Sequence, residues 1–177
     1  MITADDVCEI VRSLETASIR VWLDGGWGVD ALVGEHTRPH NDLDIVIRES
    51  DVSRMRRVLE CGGFREKPGG TPWNFVLVDE RSREVDVHTV RFDEAGNGLY
   101  GPNELMYPAG SLDGIGTVRG LRVRCKTAEA QAMDRVGYEW RARDYHDVRL
   151  LHERLQIPLP KRYGVPAHES RRIEGAA

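Results

Sequence analysis

The feature that most constrains this chain is the segment LDGGWGVDALVGEHTRPHNDLDIVI, residues 23–47. An apolar run ends there at two glycines, and the aspartates Asp42 and Asp44 then open a second run that continues with Ile-Val-Ile. A carboxylate inside a buried strand costs on the order of several kcal/mol unless it is paired, protonated or bound to a metal ion. The segment therefore predicts a site that compensates these two charges.

Composition sets the outer limits. The 177 residues, 40% of them hydrophobic, suffice for one compact domain or one domain with a small helical annex. The formal charge of −4 argues against a nucleic-acid partner. Cys8, Cys61 and Cys125 lack metal-site spacing, so we expect reduced, buried thiols. The chain shows no secretory leader pattern and no apolar run of about 18 residues, so we expect a cytoplasmic protein without a membrane segment.

Hydrophobic periodicity and turn residues predict an α+β fold with a mixed sheet flanked by helices. The predicted elements are helix 4–16, strand 19–23, helix 27–34, strand 42–47, helix 51–64 ending at a Gly-Gly stop, a hairpin of strands 73–79 and 84–90, one or two strands over 116–125, helices 127–140 and 143–155, and a frayed tail. After Lys126 the residue pattern has helical periodicity. We therefore expect a catalytic domain over 1–125 and a C-terminal helical segment and tail over 126–177.

The candidate metal site follows from strand geometry. Side chains alternate across a strand, so Asp42 and Asp44 point to one face, where a divalent cation such as Mg²⁺ would relieve their repulsion. The strand EVDVHTV, residues 84–90, adds Asp86 in an apolar setting, with His88 on the same face. If that strand lies beside the first, a three-carboxylate site forms.

The glycine pair predicts an anion site. Gly25 and Gly26 lie between a strand and a helix, where backbone N–H groups can approach a phosphate at the helix N-terminus. The spacing matches neither the dinucleotide-binding GxGxxG pattern nor the GxxxxGK[ST] pattern of P-loops. A simple turn remains the alternative.

Together these motifs resemble the polymerase-β-like minimal nucleotidyltransferase superfamily. Residues 22–48 are similar to its antibiotic-modifying branch, the lincosamide and aminoglycoside 2''-nucleotidyltransferases. The similarity rests on the Gly-Gly-Trp, the Thr-Arg-x-His and the fifteen residues between Gly26 and Asp42, with support at EVDVHTV and RCKTAEAQ. The resemblance implies a mixed-sheet nucleotidyltransferase domain.

The resemblance also implies a reaction and its residues. A nucleoside monophosphate would pass from an NTP, with ATP the expected donor, to a hydroxyl of a small-molecule antibiotic, releasing pyrophosphate. Asp42 and Asp44 would bind Mg²⁺, and Asp86 would join the metal site and act as general base. Gly25 and Gly26 would hold the triphosphate.

Several further residues have two interpretations each. Arg38 and His40 either contact the triphosphate or orient the loop before Asp42, and Lys126 is a more distant candidate for the phosphate role. Asp24 either caps the turn or meets substrate. Trp27 either packs below the first helix or contacts the base or the antibiotic.

The C-terminal half is less informative. His88 is expected beside the metal ligands rather than among them. Asp144, His146 and Asp147 suit a solvated helix face with i,i+4 pairs, with a functional role as the minor alternative. We expect the irregular segment 96–114 and the last helices to hold the acceptor. Two alternative functions remain open, which are the same chemistry on a protein or tRNA acceptor and an inactive nucleotide-binding module. A homodimer also remains open.

Overall fold

The computed structural model describes residues 1–102, 105–133, 139–161 and 163. The helices are α1 Ala4–Thr16, α2 Gly25–Val33, α3 Val52–Cys61, α4 Ala128–Met133 and α5 Ala142–Leu155, with a 3-10 turn over Glu49–Asp51. The strands are β1 Val21–Leu23, β2 Asp42–Arg48, β3 Arg65–Glu66, β4 Asn74–Val78, β5 Glu84–Phe92, β6 Gly98–Tyr100, β7 Leu105–Tyr107, β8 Gly114–Val118 and β9 Leu121–Cys125. No helix in these ranges is long and apolar enough to cross a membrane.

The strands form one mixed sheet, as the sequence predicts. Its main path runs β3-β4-β5-β2-β1-β9-β8, and β6 and β7 extend from β5. β2 pairs parallel with β5 and antiparallel with β1. β4 and β5 form the predicted antiparallel hairpin. The parallel pairing of β2 with β5 brings the two acid-bearing strands side by side.

The two faces of β2 differ in chemistry because its side chains alternate. Leu43, Ile45 and Ile47 are fully buried and join the main apolar core. That core also contains the inner faces of α1 and α3. The opposite face carries Asp42 and Asp44, both half-buried. The sheet thus exposes its acids on the side away from the main core.

Local capping confirms the predicted first helix and corrects the second. α1 begins with a capping box in which Thr3 and Asp6 bond to each other's backbone amides. α2 begins at Gly25, two residues before the predicted start, with Asp24 as its N-cap. It ends at Gly34, which has a left-handed φ of 74°. The glycine pair is therefore the first turn of a helix rather than a separate turn.

Three expectations about individual segments were wrong. Segment 96–114, expected to be irregular, contains strands β6 and β7, although residues 103 and 104 lie outside the described part. The predicted helix 127–140 is shorter, because residues 139 and 140 are not helical; α4 is described over Ala128–Met133, and residues 134–138 lie outside the described part. Cys61 is exposed, since it ends α3 on the solvent side, whereas Cys8 and Cys125 are buried free thiols as expected.

The chain divides into two compact units, Met1–Thr127 and Ala128–Ala177. The first contains the whole sheet with α1, α2 and α3, and the second contains α4 and α5. Asp144 and Asp147 are only 3% and 1% exposed, so the expected solvated face of α5 is wrong for them. The Asp144 carboxylate accepts a hydrogen bond from the Arg141 amide at the start of the helix. The predicted functional boundary at residue 125 stays a prediction, and most of the predicted tail lies outside the described residues.

Candidate active site

The predicted acids of β2 and β5 meet at one point of the sheet. Asp44 and Asp86 are directly paired in the parallel register. With His88 they form what we call the Asp86 cluster, in which each residue offers a ligand atom and these atoms all lie within 4.8 Å of one another. Asp42 stands on the same face opposite Glu84, and it does not belong to this group in the described part of the chain.

The donor chemistry of the Asp86 cluster fits a divalent cation. Two carboxylates supply hard oxygen ligands, and Mg²⁺ characteristically takes one or two of these and keeps water and substrate oxygens for the rest of its shell. Both Asp86 and His88 are partly open, with side-chain exposures of 28% and 24%. A cation and a substrate can therefore reach the cluster.

Gly25 lies directly against this cluster. A Cβ at Gly25 would be 2.1 Å from Oδ2 of Asp44, and its φ of +55° also favours glycine. The preceding amide, that of Asp24, donates to the carbonyl of Asp44 at 3.0 Å. The N-terminus of α2, with its positive dipole end, thus contacts the acid-bearing strand β2.

Asp24 and Lys126 form a buried ion pair beside the cluster. Nζ of Lys126 lies 3.3 Å from Oδ1 of Asp24, and the Gly25 amide donates to the same oxygen at 2.7 Å. Burial by itself would raise the pKa of Asp24, but Lys126, then His88 and the Gly25 amide, lower it, so the carboxylate is charged. Lys126 is therefore closer to the glycine turn than the sequence suggested, and Asp24 has the capping role that was one of its two interpretations.

The Thr-Arg-x-His motif forms a hydrogen-bond network with the buried Asp30, which we call the relay. Asp30, 3% exposed, accepts hydrogen bonds from the Thr37 hydroxyl at 2.5 Å and from Nε2 of His40 at 2.7 Å. Arg38 can only donate, so Nδ1 of His40 accepts its bond at 3.0 Å and Nε2 carries the proton. Both ring nitrogens are engaged within the protein, which matches the orienting interpretation. The triphosphate contacts of Arg38 and His40 stay a prediction.

Gly26 has a different reason for being glycine. A Cβ there would be 2.3 Å from Nδ1 of His40 and 2.6 Å from a guanidinium nitrogen of Arg38. The relay therefore lies over the first turn of α2 and fixes it from outside. Gly25 therefore lies against the acid-bearing strand, and Gly26 lies against the segment that precedes it.

Trp27 packs in the core, as one of its two interpretations proposed. It is 1% exposed and stacks on His36 with ring centroids 4.9 Å apart. Asp30, His36 and His40 also have ligand atoms within 4.8 Å of one another. Because the relay already uses Asp30 and both nitrogens of His40, we interpret this second group as structural.

Sequence reasoning missed two residues near Asp86, which are Asn74 and Tyr100. Nδ2 of Asn74 donates to Oδ1 of Asp86 at 2.7 Å. His88 approaches the same oxygen at 3.6 Å, and its Nδ1 lies 3.3 Å from the Tyr100 hydroxyl. Burial, then Asp86 and Asp24, raises the pKa of Tyr100, which keeps that hydroxyl protonated. The available signal was a polar Asn in an otherwise apolar strand.

Comparison with known proteins places the chain among antibiotic-modifying enzymes. A sequence profile of the aminoglycoside-2''-adenylyltransferase family matches residues 6–151. A lincosamide resistance protein of Staphylococcus haemolyticus is 26% identical over 152 residues, 85% of this chain and 94% of that protein. A 2''-aminoglycoside nucleotidyltransferase of Escherichia coli is 28% identical over 57 residues, 32% of each chain.

Solved structures agree with this assignment. The lincosamide antibiotic adenylyltransferase LnuA, with lincomycin bound, has a TM-score of 0.76 at 25% identity and covers 85% of this chain and 96% of its own. ANT(2'')-Ia in complex with adenylyl-2''-tobramycin has a TM-score of 0.70 at 21% identity, with 86% and 88% covered, and supports the fold alone. The prediction of a nucleotidyltransferase enzyme is thereby confirmed. The chain belongs to the aminoglycoside-2''-adenylyltransferase family.

Proposed function

We propose that this protein transfers an adenylyl group from ATP to a hydroxyl of a lincosamide antibiotic in a Mg²⁺-dependent reaction that releases pyrophosphate. The observation that carries the proposal is the Asp86 cluster, built against Gly25 at the start of α2. A cation site beside a helix N-terminus is suited to a nucleoside triphosphate, because both neutralise phosphate charge.

Lincosamides are the first acceptor to test because of how far each similarity extends. The Staphylococcus haemolyticus relative, named for lincosamide resistance, matches across 85% of this chain. The relatives named for aminoglycosides match across 32%. Aminoglycosides are the second candidate acceptor, since the family profile carries their name.

The proposed roles follow the predicted residues. Asp42, Asp44 and Asp86 would hold Mg²⁺, which when bound supplies positive charge to the triphosphate. Asp86 accepts the proton of the acceptor hydroxyl while the hydroxyl oxygen bonds to the α-phosphorus. The bond from that phosphorus to the pyrophosphate oxygen breaks, and pyrophosphate leaves with the bonding electrons.

The remaining predicted residues would contact the donor. The backbone of Gly25 and Gly26 would face the triphosphate, and Arg38, His40 and Lys126 would supply donors to its oxygens. Lys126 is the best supported of these three residues, because it lies at the Asp24 cap of α2, 3.3 Å from that carboxylate. It would reach the phosphate without leaving the site.

The test is a panel of lincosamides and aminoglycosides incubated with each of the four NTPs and analysed by mass spectrometry. We expect a lincosamide to gain one adenylyl group, in a reaction that chelation of Mg²⁺ stops. Asp42→Asn should abolish turnover with little change in stability. Wild-type activity in that variant would contradict the role of Asp42 as a metal ligand.

The same assay distinguishes the other acceptors. If labelled ATP marks protein or tRNA and leaves the antibiotics unchanged, the small-molecule proposal is wrong. Two further expectations, a homodimer and a cytoplasmic location, stay predictions. Light scattering on the purified protein would determine the first of these.

A further inference from the structure

We propose that Asn74 is a positioning residue for the reaction: its amide fixes one oxygen of Asp86 so that the other is presented to the acceptor hydroxyl. The inference rests on the proposed function, because it assigns Asp86 the role of proton acceptor. It adds a residue to which neither the motifs nor the similarities give a role. Four observations support it.

The strand register places Asn74 diagonally across from Asp86. In the antiparallel pair of β4 and β5, Asn74 is opposite His88 and Val76 is opposite Asp86. Residues that are directly opposite share a face, and diagonal neighbours on that face come within reach of each other's side chains. Asn74 is therefore on the acid-bearing face, next to Asp86 and His88.

The chemistry determines which end of the amide meets the carboxylate. Nδ2 of Asn74 lies 2.7 Å from Oδ1 of Asp86 and 3.3 Å from the carbonyl oxygen of Val87. Both of those atoms only accept hydrogen bonds, so the NH₂ end of the amide must face them. Each hydrogen of the NH₂ group then has a partner, which fixes the side chain in one orientation.

Asn74 is itself held by a tight turn. The Thr71 amide and hydroxyl both donate to the Asn74 carbonyl, at 2.7 and 3.1 Å. In return the Asn74 amide donates to the Thr71 hydroxyl at 3.0 Å. A donor on such a fixed backbone can hold a carboxylate in one rotamer at little further entropic cost.

The two oxygens of Asp86 are consequently different. Oδ1 receives the Asn74 bond and is the oxygen nearest to His88. Within the described residues, no hydrogen bond reaches Oδ2. Oδ2 is therefore the atom that takes the proton of the acceptor hydroxyl, as the hydroxyl oxygen bonds to the α-phosphorus and pyrophosphate departs. Asn74 acts through Asp86 and makes no contact with the reacting atoms in this step.

The test compares Asn74→Ala and Asn74→Asp with wild type in steady-state adenylylation of lincomycin by ATP. Loss of a hydrogen bond to a charged group predicts that kcat falls by about 10- to 100-fold in Asn74→Ala. The KM for ATP should stay within about two-fold, because Asn74 is not assigned to the donor. Asn74→Asp has the same shape but places a second negative charge beside Asp86, so we expect a larger loss of kcat than in Asn74→Ala.

A control comes from another neutral side chain that donates to a carboxylate. The Thr3 hydroxyl donates to Oδ2 of Asp6 at 2.5 Å at the start of α1. Thr3→Ala removes this bond outside the proposed machinery and should leave kcat per folded molecule unchanged. Calorimetric titration with Mn²⁺ gives a readout independent of activity, and we expect the Mn²⁺ affinity of Asn74→Ala to stay within about two-fold of wild type.

Three results would overturn the inference while leaving the proposed function intact: wild-type kcat in Asn74→Ala, a smaller loss in Asn74→Asp than in Asn74→Ala, or a fall in Mn²⁺ affinity that matches the fall in kcat. The second would show that side-chain shape matters rather than donation. The third would show that Asn74 supports Asp86 as a metal ligand rather than as the proton acceptor. If wild-type protein adenylylates no acceptor in the panel, the proposed function fails first, and the inference falls with it.

Discussion

Two groups of carboxylates in this protein are built in opposite ways. In the first, which we call the Arg83 cluster, Nε of Arg83 lies 2.6 Å from Asp79, and its Nη1 lies 3.1 Å from Asp6 and 3.2 Å from Glu9. A guanidinium thus stands between the acids, and its side chain is only 6% exposed. In the Asp86 cluster, the hydrogen-bond donor to Asp86 is the neutral amide of Asn74, and the ring beside it is that of His88.

The difference shows what each cluster is suited for. The Arg83 cluster satisfies its charges internally, and Arg83 also covers the ring of Phe64 at 5.1 Å. It joins α1 to the β4–β5 hairpin, and its acids are not among the groups of described residues whose ligand atoms could hold a metal ion. The Asp86 cluster brings two acids together on a partly open face. Like charges brought together on an open face are typical of functional sites, where local stability is lower than it need be.

The largest effect that separates the clusters is expected from Asp86→Asn. Loss of a general base lowers kcat by about 10²- to 10⁴-fold, with a much smaller change in the affinity for ATP. The free energy of unfolding should stay the same or rise, because one of two neighbouring like charges is removed. Steady-state kinetics and urea denaturation of the same preparation measure both quantities.

Asp79→Asn is the matched control for that variant. It makes the same chemical change in the Arg83 cluster, where the carboxylate accepts from Nε of Arg83. We expect it to lower the free energy of unfolding while kcat, measured at a temperature where the variant is folded, stays near the wild-type value. Equal losses of ATP affinity and kcat in Asp86→Asn would instead assign Asp86 chiefly to binding.

The sequence predicted the Asp86 cluster better than the Arg83 cluster. Asp44 and Asp86 are visible because an acid inside an apolar strand needs an explanation, and both strands have clear boundaries. The Arg83 cluster joins residues 77 positions apart, and Arg83 belongs to the segment ERSR, which the sequence marks only as a hairpin turn. Asn74 was missed for a related reason. Its partner depends on the register of the hairpin, which composition does not determine.

Arg83→Met tests the structural cluster and should give the next largest effect. Removing the guanidinium leaves Asp79 buried without this cation and Asp6 paired with the exposed Arg81, which costs about 3–5 kcal/mol of unfolding free energy. Activity per folded molecule should not change, because the Asp86 cluster is not touched. Arg81→Met removes a partner of Asp6 whose own side chain is 65% exposed, and it should cost less than about 1 kcal/mol. Equal losses in the two variants would contradict the view that burial sets the cost.

Acid should weaken the same cluster. Burial by itself would raise the pKa of Asp6 and of Asp79. Hydrogen bonds from Thr3 and Arg83 outweigh burial at Asp6, and hydrogen bonds from Arg83 outweigh it at Asp79. Both pKa values therefore lie below the ordinary 3.8. A lowered pKa in the folded state adds stability that is complete above pH 3.8 and is lost as the pH falls through the lowered value. The slope is at most about 1.4 kcal/mol per pH unit for each carboxyl.

Urea denaturation of wild type and Arg83→Met at pH 5 and pH 3 measures this dependence. Since the variant lacks the guanidinium that lowers both pKa values, the stability difference between the two proteins should shrink at pH 3. A difference that stays constant or grows as the pH falls would show that Arg83 acts through packing on Phe64 rather than through charge.

The smallest expected effect comes from Thr3→Ala, at the outer end of the Arg83 cluster. The Thr3 hydroxyl donates to Oδ2 of Asp6 at 2.5 Å and accepts from the Asp6 amide at 3.2 Å, so one side chain both caps α1 and holds an acid of the cluster. Loss of an N-cap costs about 1 kcal/mol. Thr3→Ser keeps the hydroxyl and should retain most of that stability. If the two variants lose equal stability, the Thr3 methyl group rather than its hydroxyl matters.

An additive loss in Thr3→Ala combined with Arg83→Met would show that the cap and the ion pair act separately on Asp6, whereas a smaller combined loss would show that they form one unit.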